Sequence, residues 1–127
     1  MTEQLALAEA RTRSGRKSRR NLGTTEDDLL RSVRKLCRYT GYLCYHTLWS
    51  KGSEPGFPDL VLASAKRQRL IFAELKAETG KPTAAQQLWL DTLTATGNEA
   101  YLWRPADLTD GTILATLTSR RIPETTP

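Results

Sequence analysis

Two apolar runs, PDLVLAS over residues 58–64 and RLIFAELKA over 69–77, stand on either side of the four-residue turn AKRQ. A connection that short suits an antiparallel hairpin, because parallel strands need a crossover of a dozen residues or more. Each run is apolar at odd and even positions alike, which predicts central strands covered by helices on both sides. Three charged residues nonetheless interrupt them: Asp59, Glu74 and Lys76. Burying any of these without a partner costs several kcal/mol, so the fold must bring them to one another or to something else.

The flanking sequence supplies the helices. TTEDDLLRSVRKLCRYTG (24–41) offers Thr24 or Thr25 as N-cap, acids in the first turn, and Leu29, Leu30, Val33, Leu36 and Cys37 at helical spacing. In this reading Glu26 shares the inward stripe with Leu30, Val33 and Cys37, and Asp27 turns toward Arg31 and solvent. Gly41 ends the helix. YLCYHTLW (42–49) follows as an aromatic strand, and SKGSEPGFP (50–58) as a loop that runs directly into Asp59. Beyond the hairpin, ETGKP is a break, and TAAQQLWLDTLTATG (83–97) is a second helix with Trp89, Leu90 and Leu93 inward and Gly97 as its stop. NEAYLWRP (98–105) is a fourth strand, parallel to the third by a right-handed crossover. Residues 107–118 are read as one short last helix. The expected order is α-β-β-β-α-β, an α/β fold around a mixed four-stranded sheet, with Trp49, Trp89 and Trp103 in the core or at an interface.

Charge divides the chain differently. The formal net charge is +5, and residues 1–22 carry Arg11, Arg13, Arg16, Lys17, Arg19 and Arg20 against only Glu3 and Glu9. The remainder is near balance, with 13 basic and 12 acidic side chains. Residues 1–23 therefore read as a basic flexible arm suited to nucleic acid, or as a solubilising tail that touches nothing; 24–119 as the folded domain; and 120–127 as a frayed end. No stretch has the ~18 apolar residues of a membrane span, and the N-terminus has no secretory pattern, so a cytoplasmic protein without a membrane partner is expected. Cys37, Cys44 and a lone His46 give neither zinc spacing nor a disulfide framework.

Strand alternation puts Glu74 and Lys76 on one face with Leu75 on the other, and a hairpin turning at 66–68 brings Asp59 level with them. Two carboxylates then meet one amine. Oxygen donors from Asp59 and Glu74, with the Leu75 carbonyl and water, suit an octahedral magnesium ion. Lys76 would position a water or help deprotonate it, which requires its pKa to fall from an ordinary ~10.4. Phosphodiester hydrolysis uses such a set. A purely structural ion pair between Asp59 and Lys76 is the alternative, and it leaves Glu74 without a purpose.

GFPDLVL, then FAELK, then TAAQQLWL and TGNEAYLWRP, taken together, resemble the VRR-NUC branch of the PD-(D/E)XK nucleases, over about residues 24–107. The resemblance implies a restriction-endonuclease-like fold and a metal-dependent endodeoxyribonuclease using Mg2+ or Mn2+. By the same resemblance Asp59 and Glu74 match the metal-binding acids, Lys76 the catalytic lysine, Gln86 a glutamine on the following helix and Glu26 an acid on the first. Stand-alone, virus-like members suggest a homodimer acting on branched DNA such as four-way (Holliday) junctions, in recombination or repair, inside a bacterial or phage-infected cell. Some of these residues also have plainer roles. Gln86 stands three residues after Thr83, the spacing of a capping box; Glu26 complements a helix dipole; and His46, near the loop to Asp59, either contacts a phosphate or water or is structural. Lys51, Lys81 and Arg104 are at most phosphate contacts. The rival from another class is a non-catalytic nucleic-acid-binding module that relies on the arm.

Overall fold

The computed structural model describes residues 25–48 and 51–120. The arm residues Arg11 to Arg20, the end expected to fray from 121 onward and Trp49 lie outside the described residues. The first helix, α1 (Glu26–Thr40), leads into β1 (Leu43–His46), β2 (Leu60–Ser64) and β3 (Arg69–Leu75). Then come α2 (Ala84–Ala95), β4 (Glu99–Trp103), α3 (Pro105–Thr109) and α4 (Thr112–Thr118). The four strands form one sheet in the order β1-β2-β3-β4. β1 and β2 pair antiparallel, as do β2 and β3, whereas β4 runs parallel to β3. This is the mixed sheet flanked by helices that the sequence predicts.

Local chemistry fixes the elements. Thr25 caps α1, accepting from the Asp28 amide while Asp28 accepts from the Thr25 amide, and Gly41 ends the helix in the left-handed region at φ 87°. Starting the helix there sets its phase: Asp28, Leu29, Ser32, Val33, Leu36, Cys37 and Thr40 are buried. Glu26 is exposed, so it does not share the inward stripe expected of it; Asp28, one turn in and tied back to the cap, takes the inward acidic position. The β2–β3 turn spans residues 65–68, with Gln68 at φ 54° and its amide bonded to the Ala65 carbonyl. The single helix expected over 107–118 is instead two. Gly111 at φ 87° breaks it, and Asp110 accepts from the Thr112 amide to start α4.

The core lies on one face of the sheet. Leu60, Leu62, Ile71, Ala73, Leu75 and Trp103 pack there with Leu29, Val33 and Leu36 of α1 and with Leu108, Ile113 and Leu117 of α3 and α4. Cys37 and Cys44 are free thiols on this side. The other face is less covered than two-sided apolar strands predict. There Phe57 makes edge contacts with Phe72 of β3 and Trp89 of α2, but Leu43, Tyr45 and Leu70 remain exposed. α2 packs over β4 and reaches only part of that face. Among the described residues no helix is long and apolar enough to cross a membrane.

Candidate active site

Asp59 stands immediately before β2, and Glu74 lies one residue from the end of β3. The register pairs Leu60 with Ala73, so Asp59 falls opposite Glu74. Their contacts are reciprocal. The Asp59 amide donates to Glu74 Oε1 at 3.2 Å, and the Leu75 amide donates to Asp59 Oδ2 at 2.9 Å. Lys76 Nζ lies 3.7 Å from Glu74 Oε2, an ion pair longer than a good hydrogen bond. The expected convergence of two acids and one amine is therefore present.

Glu74 is 1% exposed. Burial, and then the Asp59 carboxylate, push its pKa up to about 7, and Lys76 offsets only part of that. With both acids ionised, the pair carries one negative charge more than its one amine neutralises. Among the described residues no group of three or more His, Cys, Asp or Glu side chains gathers to hold a metal. The acidic donors are a pair, with the Leu75 peptide drawn against them by its bond to Asp59.

Two loops frame the pair. The loop before Asp59 is docked on α2: Trp89 Nε1 donates to the Pro55 carbonyl at 3.2 Å. Gly56, at φ 93°, comes so close to Ala85 that any Cβ would stand 2.5 Å from its carbonyl carbon. Only glycine fits there. The loop after Lys76 is held from the other side, because Arg104 Nη1 donates to the carbonyls of Ala77, Glu78 and Gly80 at 2.7, 3.1 and 2.5 Å. Arg104 was expected to be at most a phosphate contact; its guanidinium is instead used on the backbone. The sequence signal for this was its place directly after the fourth strand, beside the end of the third.

The remaining candidates are placed less centrally. Gln86 closes the capping box of α2, its side chain accepting from the Thr83 amide at 2.9 Å. Glu26 is exposed at the start of α1 and makes no described contact with the pair. His46 pairs with Leu60, so alternation directs it to the α1 face, away from Asp59; its Nδ1 is buried with no hydrogen-bond partner among the described residues. The expected phosphate or water contact beside Asp59 thus lies on the wrong side of the sheet. Lys51 and Lys81 are exposed in the two loops that frame the pair.

Comparison with curated proteins and with solved structures returns no match. The sequence profile of the VRR-NUC domain matches residues 3–106, which extends further toward the N-terminus than the motifs around the acid pair. A match over that much of the chain, taking in both acids, the lysine and the fourth strand, makes this protein a member of the VRR-NUC family, a nuclease domain of the PD-(D/E)XK superfamily.

Proposed function

We propose that the protein is a divalent-metal-dependent endonuclease that hydrolyses phosphodiester bonds in branched or otherwise structured DNA. The observation that carries this reading is the uncompensated acid pair, Asp59 and Glu74, with Lys76 beside it at the open end of the hairpin. The donor set fits Mg2+ or Mn2+: two facing carboxylates, and a backbone carbonyl at Leu75, the residue directly after Glu74. Asp59, Glu74 and the Leu75 carbonyl would hold the ion. When bound, such an ion supplies Lewis acidity toward a phosphoryl oxygen.

The chain's own residues do the rest. Lys76, on a flexible stem beside Glu74, holds a phosphate oxygen or steers a water by its N–H donors. Hydrolysis adds the water oxygen to phosphorus, breaks the ester P–O bond and moves a proton from that water to the leaving oxygen, a transfer that Lys76 is placed to assist. Gln86 is fixed by its capping box and is assigned to the rim of the site, where its free amide nitrogen would reach substrate. Glu26 is an outer candidate only, and His46, on the α1 face, is given no part. Lys51, Lys81 and the basic arm would contact phosphates and supply affinity for DNA.

A homodimer is part of the proposal, since a junction resolvase must cut two strands at symmetric places. The exposed edge strand β1 supports it: Leu43 is 80% and Tyr45 62% exposed, with Leu48 close by and also exposed. The deciding experiment incubates the protein with Mg2+ on linear, flap, splayed and four-way DNA. Cleavage of the branched substrates that EDTA abolishes is expected. No cleavage of any substrate, or cleavage indifferent to EDTA, would contradict the proposal, and a strict monomer on sedimentation with junction DNA bound would defeat its resolvase form.

A further inference from the structure

We propose that Arg104 is a positioning residue for Lys76: it holds the arch of residues 77–80 and thereby fixes where the Lys76 ammonium stands. Its effect on cleavage rests on the nuclease reading above, but its effect on Lys76 does not.

The argument begins with the backbone. β3 ends at Leu75, and the Lys76 amide donates to the Trp103 carbonyl at 3.0 Å, so the chain leaves the sheet beside the end of β4. It then closes on itself, the Gly80 amide donating to the Ala77 carbonyl at 3.1 Å. That closure turns three carbonyl oxygens, of Ala77, Glu78 and Gly80, toward one point. Converging acceptors repel one another unless a donor lies between them, and Arg104 Nη1 lies there. Arg104 is itself held, as the N-cap of α3, by its amide bond to Asp107 at 2.8 Å and by Pro105 at the first helical position. A second tether joins the same parts, since the Glu78 carboxylate accepts from the Ala106 amide at 2.9 Å.

Lys76 depends on that arch. A lysine stem has four rotatable carbons, so packing along its length decides where the ammonium goes. The stem passes beside Gly80: a Cβ placed there would stand 3.7 Å from Lys76 Cδ, ordinary contact distance. Gly80 is also the residue whose carbonyl comes nearest to Arg104 Nη1. The guanidinium thus sets Gly80, Gly80 borders the stem, and the stem presents Nζ to Glu74 at 3.7 Å. Arg104 has no described contact with Asp59 or Glu74 and acts through Lys76 alone.

The test uses the full chain and two readouts. The first is brief acylation of amines by a water-soluble N-hydroxysuccinimide ester, with Lys76 quantified by peptide mass spectrometry against exposed Lys66 in the distant hairpin turn. The second is single-turnover cleavage of branched DNA at saturating protein and Mg2+. In Arg104→Gln, Lys76 acylation relative to Lys66 should rise several-fold as the amine leaves Glu74. Cleavage should slow by about 10–100-fold at unchanged DNA affinity, the range for residues that orient a reacting group. Arg104→Lys, which offers three N–H donors on one nitrogen to three acceptors, should restore part of both. Glu78→Ala loosens the second tether and should raise Lys76 acylation by less, which keeps the proposal testable if Arg104→Gln does not fold. Lys76 acylation equal to wild type in the folded variants would overturn it, whatever the cleavage rate. A wild-type protein that cuts no DNA would defeat the nuclease reading instead and leave the acylation result to decide the role of Arg104.

Discussion

The β2–β3 hairpin gathers charged side chains at both ends and compensates them differently. At the turn end, Arg69 makes two bonds to Glu99, Nε to Oε2 at 3.0 Å and Nη2 to Oε1 at 2.5 Å. Its Nη1 donates to the carbonyls of Thr116 and Ser119 at the end of α4. Tyr101 donates to the same Glu99, and Arg67 caps the ends of α1 and α4 through the Thr40 and Thr118 carbonyls. Arg67, Arg69 and Glu99 there each meet an opposite charge or the negative end of a helix, an arrangement that serves stability. At the open end two carboxylates face one amine, which stands 3.7 Å from Glu74, and Glu74 holds its proton up to about 7. Similar residue types on one hairpin give a satisfied network at one end and a surplus of charge at the other. On the proposed reading, the open end is the place kept for a cation.

The largest effect expected separates the two ends by activity. Alanine at Asp59, Glu74 or Lys76 should lower cleavage by about 10²–10⁴-fold with an unchanged circular dichroism spectrum, as for residues acting at the reacting phosphate. Near-normal cleavage by any one variant would remove that residue from the site. The next effect falls on stability at the turn end. Arg69→Ala removes the guanidinium from Glu99 and from two helix-end carbonyls and should destabilise the fold by about 3–5 kcal/mol in denaturant titration. Its cleavage per folded molecule should match wild type; a variant as stable as wild type would mean that the turn end is not the staple described.

The smallest effect is a slope with pH in EDTA. Glu74 titrates near 7 folded against an ordinary 4.5, so the folded state binds more protons than the unfolded state between those values. The contribution of Glu74 to stability is therefore lost progressively as pH rises from about 4.5 to about 7, and is level above. Glu74→Gln cannot titrate, so the melting temperature of the variant minus that of wild type should climb across this window and then hold. A constant difference from pH 4.5 to 8 would show that Glu74 is not strained.

What could be read from the sequence was local or followed from the hairpin. The turn at AKRQ, the α2 capping box at Thr83 and Gln86, and the meeting of Asp59 with Glu74 each depend on a few neighbouring residues or on one register. The face of His46 was also implicit, since pairing with Leu60 sends it to the α1 side, but that required the β1–β2 register. The buried acid of α1 required the cap to be assigned to Thr25, which sets the phase that buries Asp28 and exposes Glu26. Arg104 was read as at most a phosphate contact, and Arg67 and Arg69 were given no role, because their partners lie 24 to 51 residues away. Periodicity marks which face a residue takes but carries no sign of a carbonyl brought to it by tertiary packing. The half-open second face was missed for the same reason, because apolar strands alone do not say how far a helix will reach across them.

Differential scanning fluorimetry of wild type and Asp59→Asn, each in EDTA and in Mg2+, tests most directly whether the open end holds charge for a cation. In EDTA, Asp59→Asn should melt at the same temperature as wild type or higher, since it relieves repulsion between the two carboxylates. Mg2+ should raise the melting temperature of wild type, because a ligand bound only by the folded state stabilises it, and should raise that of the variant less. A variant that melts clearly lower in EDTA, with neither protein responding to Mg2+, would show Asp59, Glu74 and Lys76 to be a structural ion network like that at the turn end and would contradict the account.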